Sequence, residues 1–379
     1  MRIFLTLAVA TNAAAPGNRV WDRYLRETLV EMGHDVVLCR AEDGQRAMAT
    51  ADAALRAAFS ERLAAEFARG HAERHFDLVF AYLMDGMVEP AVIDQIRAAG
   101  VPTVNFSCNN VHQFDLVDEL APHFDRNLHA ERDVAEKFHA VGATPLWWPM
   151  AANPRYAHPV DVPRTLEASF VGGNYALRAR YVLSLLERGV DVHAYGPRWT
   201  LAGRRRRFKR RLRRDLTLAR AWTSYRGERK AWRTRARQID VTRTLTGSYP
   251  AHLHDPIDDD AVIRLYSASH VSLGFLEVYD RHDAAAPVLR HVHLREFEAP
   301  MSGALYATNY CDELGEYFEP GSEVVVWEGA DELAEKVRYY VAHREEADKI
   351  RAAGRRRALA CHTYQRRFVG LFDALGLKA

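Results

Sequence analysis

Cysteine is scarce in this chain of 379 residues: Cys39, Cys108, Cys311 and Cys361 are the only four, and they are widely separated. No CxxC pair and no Cys/His spacing of a zinc site occurs, which excludes a disulfide framework and reads as reduced thiols in a cytosolic protein. Long apolar runs are missing as well; none approaches the roughly 18 residues that a helix needs to cross a bilayer. There is no long internal repeat, and the one paired-glycine turn between a strand and a helix does not spell GxGxxG.

What is present is a soluble composition, 48% hydrophobic and 27% charged, on a chain too long for one ordinary core. Two domains are expected. The opening MRIFLTLAVATNAAAPG has the basic residue, short apolar run and small residues of a secretory signal. It reads better as a first strand, Ile3–Val9, then a glycine-bearing loop and a helix, because more strand–helix units follow at once. Strands are expected at Asp35–Cys39, Leu78–Leu83, Thr103–Phe106 and Asn127–Leu128, and helices at Arg19–Met32, Asp52–Arg69, Glu89–Ala98 and Glu131–Ala140. Repeated β-α units predict a parallel sheet with helices on both faces.

Residues 145–163 carry five prolines and no helical period, which marks a linker. Beyond it the pattern restarts. Strands are expected at Leu166–Val171, Val192–Tyr195, Val271–Phe275 and Ala304–Ala307, with helices at Leu177–Arg188, Asp259–Ala268, Asp331–His343, Glu345–Ala358 and Tyr364–Leu375. The architecture is α/β, two Rossmann-like domains facing across a cleft, with ligands beyond the carboxyl ends of the strands.

The net charge of +2 hides an uneven distribution. Residues 203–238 hold 16 Lys and Arg against 2 Asp and Glu; the remaining 36 basic and 48 acidic residues leave a net −12. Within that tract Phe208, Leu212, Leu216, Ala219 and Trp222 fall at helical spacing. A basic amphipathic helix suits a membrane surface or an acidic acceptor. Nucleic acid is a weaker match, and a solvated charged face is the plain alternative.

Two stretches carry ligand chemistry. In SFVGGNYALR (169–178), Gly172 and Gly173 let backbone N–H groups approach a ligand. The following helix start offers its positive dipole end, and Arg178 adds a cation for phosphate. A tight turn with a surface arginine is the plainer reading. In HLREFEAPMSG (293–303), Glu298 at a helix start is suited to accept ribose hydroxyls, whereas Glu296 fits a glutamate placed to meet the helix dipole. The acidic run Asp258–Asp260 looks like a DxD metal motif but sits where a helix N-cap belongs. The pairs His252/His254 and His291/His293 have no carboxylate partner pattern and read as structural or solvent-facing.

The order and spacing of five stretches, SFVGGNYALR (169–178), DVHAYGPRW (191–199), LREFEAPMSGALYATNY (294–310), residues 316–354 and HTYQRRF (362–368), resemble the glycosyltransferases related to the spore-maturation protein CgeB, within the wider group-1 set of GT-B fold. VPTVNFSCNNVHQFD (101–115) and WWPMAANP (147–154) extend the likeness more loosely into the first half. The resemblance implies an N-terminal acceptor domain over 1–150, a C-terminal nucleotide-sugar domain over 161–362 carrying the insertion 203–238, and a last helix, 363–379, crossing back. It implies a nucleotide-diphosphate sugar as donor, UDP- or GDP-linked, with no metal or other cofactor, and transfer to an unidentified hydroxyl acceptor with retention. The reduced thiols and the basic tract, read from composition, point to a cytoplasmic location or one peripheral on the inner membrane face. Donor contacts fall on Gly172, Gly173, Arg178, Arg198, Arg295, Glu298 and Gly303. Acceptor-side loops fall on Asn12, Asn18, Asp85, Asn109 and Asn110, with Asp115 and His112 as the nearest candidates for a catalytic base. Two departures stand out: the wider group has a glutamate eight residues before Glu298, where this chain has Arg290, and acidic residues are expected at Asn109 and Asn110. A non-catalytic sugar-nucleotide or glycan-binding protein on the same scaffold is therefore the rival reading.

Overall fold

Six consecutive buried residues, Arg2–Leu7, form strand β1. An extended segment covered on both faces is the mark of a parallel sheet sandwiched by helices. The computed structural model describes residues 1–9, 19–200, 240–279 and 287–378. Asn12, Asn18 and the basic tract 203–238 lie outside the described residues.

The chain divides into two units, Met1–Tyr156 with Ala360–Ala379, and Ala157–Leu359. The first holds β1, β2 (Asp35–Arg40), β3 (Leu78–Ala81), β4 (Thr103–Ser107), β5 (Arg126–His129) and β6 (Pro145–Trp147), in sheet order β2-β1-β3-β4-β5-β6. All pairings are parallel. β1 pairs on both sides, so MRIFLTL is a strand of the fold. Helix Ala53–Glu73 starts where Asp52 accepts the Leu55 N–H at 3.0 Å, and it packs Phe59, Leu63 and Phe67 into the core around Phe4 and Phe76. Helix Tyr364–Ala374 belongs to this unit: Phe368 packs on Phe80 and Trp148, and Trp148 Nε1 donates to the Arg367 carbonyl at 2.9 Å.

Three details depart from expectation. Helix Glu42–Thr50 was hidden by its polar composition. The expected helix Arg19–Met32 begins with a π-wound turn, Asp22–Arg26, before Glu27–Glu31. The proline-rich stretch is not all linker: Pro145–Trp147 is edge strand β6 and Trp148 is buried, since a proline is tolerated at the first residue of an edge strand.

The second unit holds β7 (Leu166–Val171), β8 (Val192–Tyr195), β9 (Leu253–His254), β10 (Ser269–Leu273), the two-stranded antiparallel β11 (Glu277–Val278) and β12 (Leu289–Arg290), β13 (Tyr306–Asn309) and β14 (Val325–Trp327). Its main sheet runs β14-β13-β10-β7-β8-β9, again all parallel. Asp258 caps helix Asp259–Ala268 by accepting the Ala261 N–H at 2.8 Å, so the acidic run serves the helix start as expected. The carboxyl ends of β7, β8 and β10 lead into Gly172-Gly173, Gly196 and Gly274. All four cysteines are free. Among the described residues no helix is long and apolar enough to cross a membrane.

Candidate active site

The loop after β7 is built to exclude side chains. Trp199 Nε1 donates to the Gly172 carbonyl at 2.7 Å. A Cβ on Gly196, at φ 146°, would lie 2.3 Å from that same oxygen, and one on Gly172 would meet Phe170 at 2.6 Å. Arg178 opens helix Arg178–Glu187 and is buried. Its guanidinium donates to the carbonyls of Gly173 and Phe275, each at 3.2 Å, and lies 3.7 Å from the centroid of the Tyr175 ring. It is therefore no surface arginine. Burial pulls its pKa below the ordinary arginine value, opposed by Tyr175, Tyr306 and Glu296. Arg198, at φ 74°, sits 5.5 Å over Tyr175.

Helix Arg295–Met301 brings the acidic half of the site to the same edge of the sheet. Glu298 is buried; its Oε2 accepts from the Tyr266 hydroxyl at 3.3 Å and from Arg295. Glu296 is buried as well, which its reading as a dipole-facing glutamate did not anticipate. It does reach back to the His293 N–H at 2.7 Å, but it also accepts the Tyr306 hydroxyl at 2.7 Å. A Cβ on Gly274 would lie 2.3 Å from that hydroxyl. Arg178, Glu296, Tyr306, Tyr266, Glu298 and Arg295 thus form one chain of interacting groups. Gly303, at φ 76°, closes the far end of this helix, where a Cβ would meet Pro159 at 3.0 Å.

A third carboxylate, Glu277, is not singled out by the sequence. Glu277 Oε1 accepts from the Tyr181 hydroxyl at 2.9 Å, Asn309 Nδ2 at 3.3 Å and Arg290 at 3.4 Å. Burial raises its pKa, and Tyr181 and Arg290 hold it down. Arg290, where the wider group has glutamate, is thus partnered with a carboxylate 13 residues upstream. Among the described residues, Arg178 Nε and Glu277 Oε2 are buried polar atoms without a hydrogen-bond partner. Such orphans are rare unless a ligand or water completes them.

In the first unit, Asn109 adopts φ 65° and donates its N–H to Glu131. Asn110 gives Glu131 its N–H at 3.3 Å and its Nδ2 at 3.2 Å. The positions of Asn109 and Asn110, where the resemblance implies acids, are thus donors to the buried Glu131 from beyond β5, which the sequence did not single out. Asp115 is exposed in the short turn Phe114–Leu116, and His112 Nε2 lies 3.1 Å from Gln113 Nε2. Asp85 accepts the N–H groups of Glu119 and Leu120 at 3.0 and 2.9 Å, and burial lifts its pKa to about 6.

Burial lifts Glu296 from 4.5 to about 7, against the opposing hydrogen bonds from Tyr306 and His293. Between those two values the folded state keeps a proton that the unfolded chain has released, so stability falls as pH rises through that window and is flat above it. The drop expected is on the order of 3 kcal/mol. Urea unfolding at about pH 5 and about pH 8 should show it, and Glu296→Gln should make the slope shallower, leaving the part that the raised Asp85 contributes. An equal slope in wild type and variant would show that Glu296 is not its source.

Residues 178–373 match the family model described as glycosyl transferase-like, which is more than half of the sequence, and the chain belongs to that family. No curated protein matches it. Its fold is that of the GT-B glycosyltransferases. Sucrose-phosphate synthase from Thermosynechococcus elongatus superposes with a TM-score of 0.61 at 12% identity, over 99% of this chain and 98% of that one. Anabaena HepE, solved with UDP and glucose, gives 0.56 at 11% identity over 99% of each. AviGT4, a glycosyltransferase of avilamycin A biosynthesis, gives 0.56 at 14% identity over 98% and 96%.

Proposed function

We propose that the protein transfers a sugar from a nucleotide-diphosphate donor, UDP- or GDP-linked, to a hydroxyl acceptor. The observation that carries this reading is the buried Arg178, with its unpartnered Nε, beneath the diglycine loop of the family-assigned unit. The diphosphate sits over Gly172 and Gly173, where a helix N-terminus and a fixed guanidinium stabilise the departing charge. Glu298 holds the ribose hydroxyls, oriented by Tyr266 and Arg295. This arrangement stabilises the leaving group with protein dipoles and cations, the metal-independent route, and we assign transfer with retention. HepE, whose fold the chain shares, was solved with UDP and with UDP-glucose, which favours a UDP-linked hexose; the CgeB-like subclass rests on the sequence stretches alone. The basic tract 203–238 directs the enzyme to an anionic surface or acceptor at the cytoplasmic face of a membrane.

A thermal-shift panel of UDP-, GDP-, ADP- and TDP-sugars tests the donor. A ligand at 100 times its dissociation constant stabilises by about 2.7 kcal/mol. We expect the UDP- or GDP-linked members to shift the midpoint and the rest to leave it unmoved. A flat panel would refute the donor pocket. A shift without slow donor hydrolysis or transfer to any acceptor would make the protein a binding module.

A further inference from the structure

The amino end of β8, opposite the end that leads to Gly196, gathers chemistry that the sugar-nucleotide reading does not use. Asp191 and His193 are two residues apart at the start of the strand, on one face. His252 and His254 lie in the turn and edge strand that return beside it, His254 being 61 residues from His193. The HLH pair read as structural for want of a carboxylate, and the fold supplies one. Asp191 Oδ1 lies 3.1 Å from His193 Nε2 and 3.3 Å from His252 Nδ1. One donor atom from each of the three residues falls within 4.8 Å of the others.

These separations suit a bound ion as well as they suit an ion pair, and the convergence of two rings on one oxygen favours the ion. Nitrogen and oxygen ligands at about 2.0–2.1 Å from zinc, in tetrahedral geometry, stand about 3.3 Å apart. Two imidazoles also converge on one carboxylate oxygen, whereas a salt bridge needs only one. The outer shell is present too. His193 Nδ1 faces His254 Nε2 at 2.8 Å, and the His254 ring stacks on Tyr195 with centroids 4.2 Å apart and planes at 13°. A ligating histidine is commonly held through its second nitrogen by a carboxylate, carbonyl or water; here the acceptor is an imidazole.

We propose that Asp191, His193 and His252 bind a divalent transition-metal ion of the zinc type, with water in the fourth position. The ion joins the start of β8 to the turn that feeds β9, a two-residue edge strand with little pairing of its own. It fastens the edge of the sheet where the chain returns from residues 201–239, a structural role distinct from sugar transfer.

The test is a titration of the tag-free full chain, stripped with a chelator, using Co²⁺ as the optical probe. One equivalent should produce the strong visible absorption of a four-coordinate site, Zn²⁺ should displace it, and Zn²⁺ should raise the unfolding midpoint. His252→Gln and Asp191→Asn should each abolish the absorption, while His343→Gln, at a surface histidine remote in sequence, should keep it. Absence of absorption and of any midpoint shift in the wild type would overturn the site, whatever the variants do. Absorption that persists in both site variants would place the ion elsewhere and overturn it equally. Circular dichroism checks that the variants fold, and His193→Gln replaces either one that does not.

Discussion

Glu298→Ala is expected to lower donor turnover about a hundred- to a thousandfold and to weaken UDP binding alongside. A hydrogen bond to a charged group contributes about 1.5–3 kcal/mol. A carboxylate holding two ribose hydroxyls therefore supplies at least about 3 kcal/mol, and every 1.4 kcal/mol is tenfold. The variant also has a structural cost, because the buried Tyr266 hydroxyl loses an acceptor and Arg295 loses its bond to this carboxylate. That part should appear as about 1–3 kcal/mol in urea unfolding. Glu298→Gln, which keeps the shape and one acceptor oxygen, should fall between wild type and alanine. Calorimetry with UDP separates the two effects, since the folded fraction can be assessed independently. If the alanine variant binds UDP as tightly as wild type and turns over at the same rate, the ribose is held elsewhere.

Gly196→Ala is expected to be among the most damaging conservative changes in the second unit. Its backbone, at φ 146°, lies where side chains rarely fit, and the new Cβ would stand 2.3 Å from the Gly172 carbonyl oxygen and 2.7 Å from its carbon. The obstacle is backbone, so no side chain can rotate away. Strained dihedrals cost about 1–3 kcal/mol and overpacking a similar amount, which together predict a loss of about 3–5 kcal/mol. Relief must come from the diglycine loop moving, so donor binding should weaken even where the variant stays folded. Gly189 is the control: its φ is also positive, 76°, but nothing lies within 4 Å of a Cβ there, and alanine should cost only about 1–2 kcal/mol. Equal denaturation midpoints for the two variants would show that the close approach of the β7 and β8 loops has no energetic weight.

The parts of this molecule written in local periodicity were legible from the sequence. β1, β2, β3, β4 and β7 are short segments rich in apolar and β-branched residues, and each lies within about two residues of its expected place; helix Asp259–Ala268 was placed to the residue by its acidic cap. What escaped was short or polar. Helix Glu42–Thr50 shows few apolar positions, and the three-residue strands β6 and β14 are too brief for any period. The candidate site divides the same way. Gly172, Gly173, Arg178 and Glu298 sit in motifs whose spacing carries meaning. Glu277 and Glu131 do not, because a buried carboxylate is recognisable only once its partners from distant strands are in place; Tyr306 lies within the stretch 294–310, but its bond to Glu296 is visible only in the fold. Arg178 was found, but its burial was not, since that depends on Phe170, Tyr175 and Phe275 closing around it.

The return of residues 360–379 to the first unit sets an order of assembly on the ribosome. Tyr364, Phe368, Leu371 and Phe372 are almost wholly buried there, and Arg367 bonds the carbonyls of Pro149 and Met150 at 2.9 and 3.3 Å. The half of the protein synthesised first must wait, with its aromatic core around Trp148 incomplete, until the last helix emerges. The later half, contiguous from Ala157 to Leu359, has its whole sheet before then. The usual N-terminal-first sequence of domain folding during translation is thereby inverted.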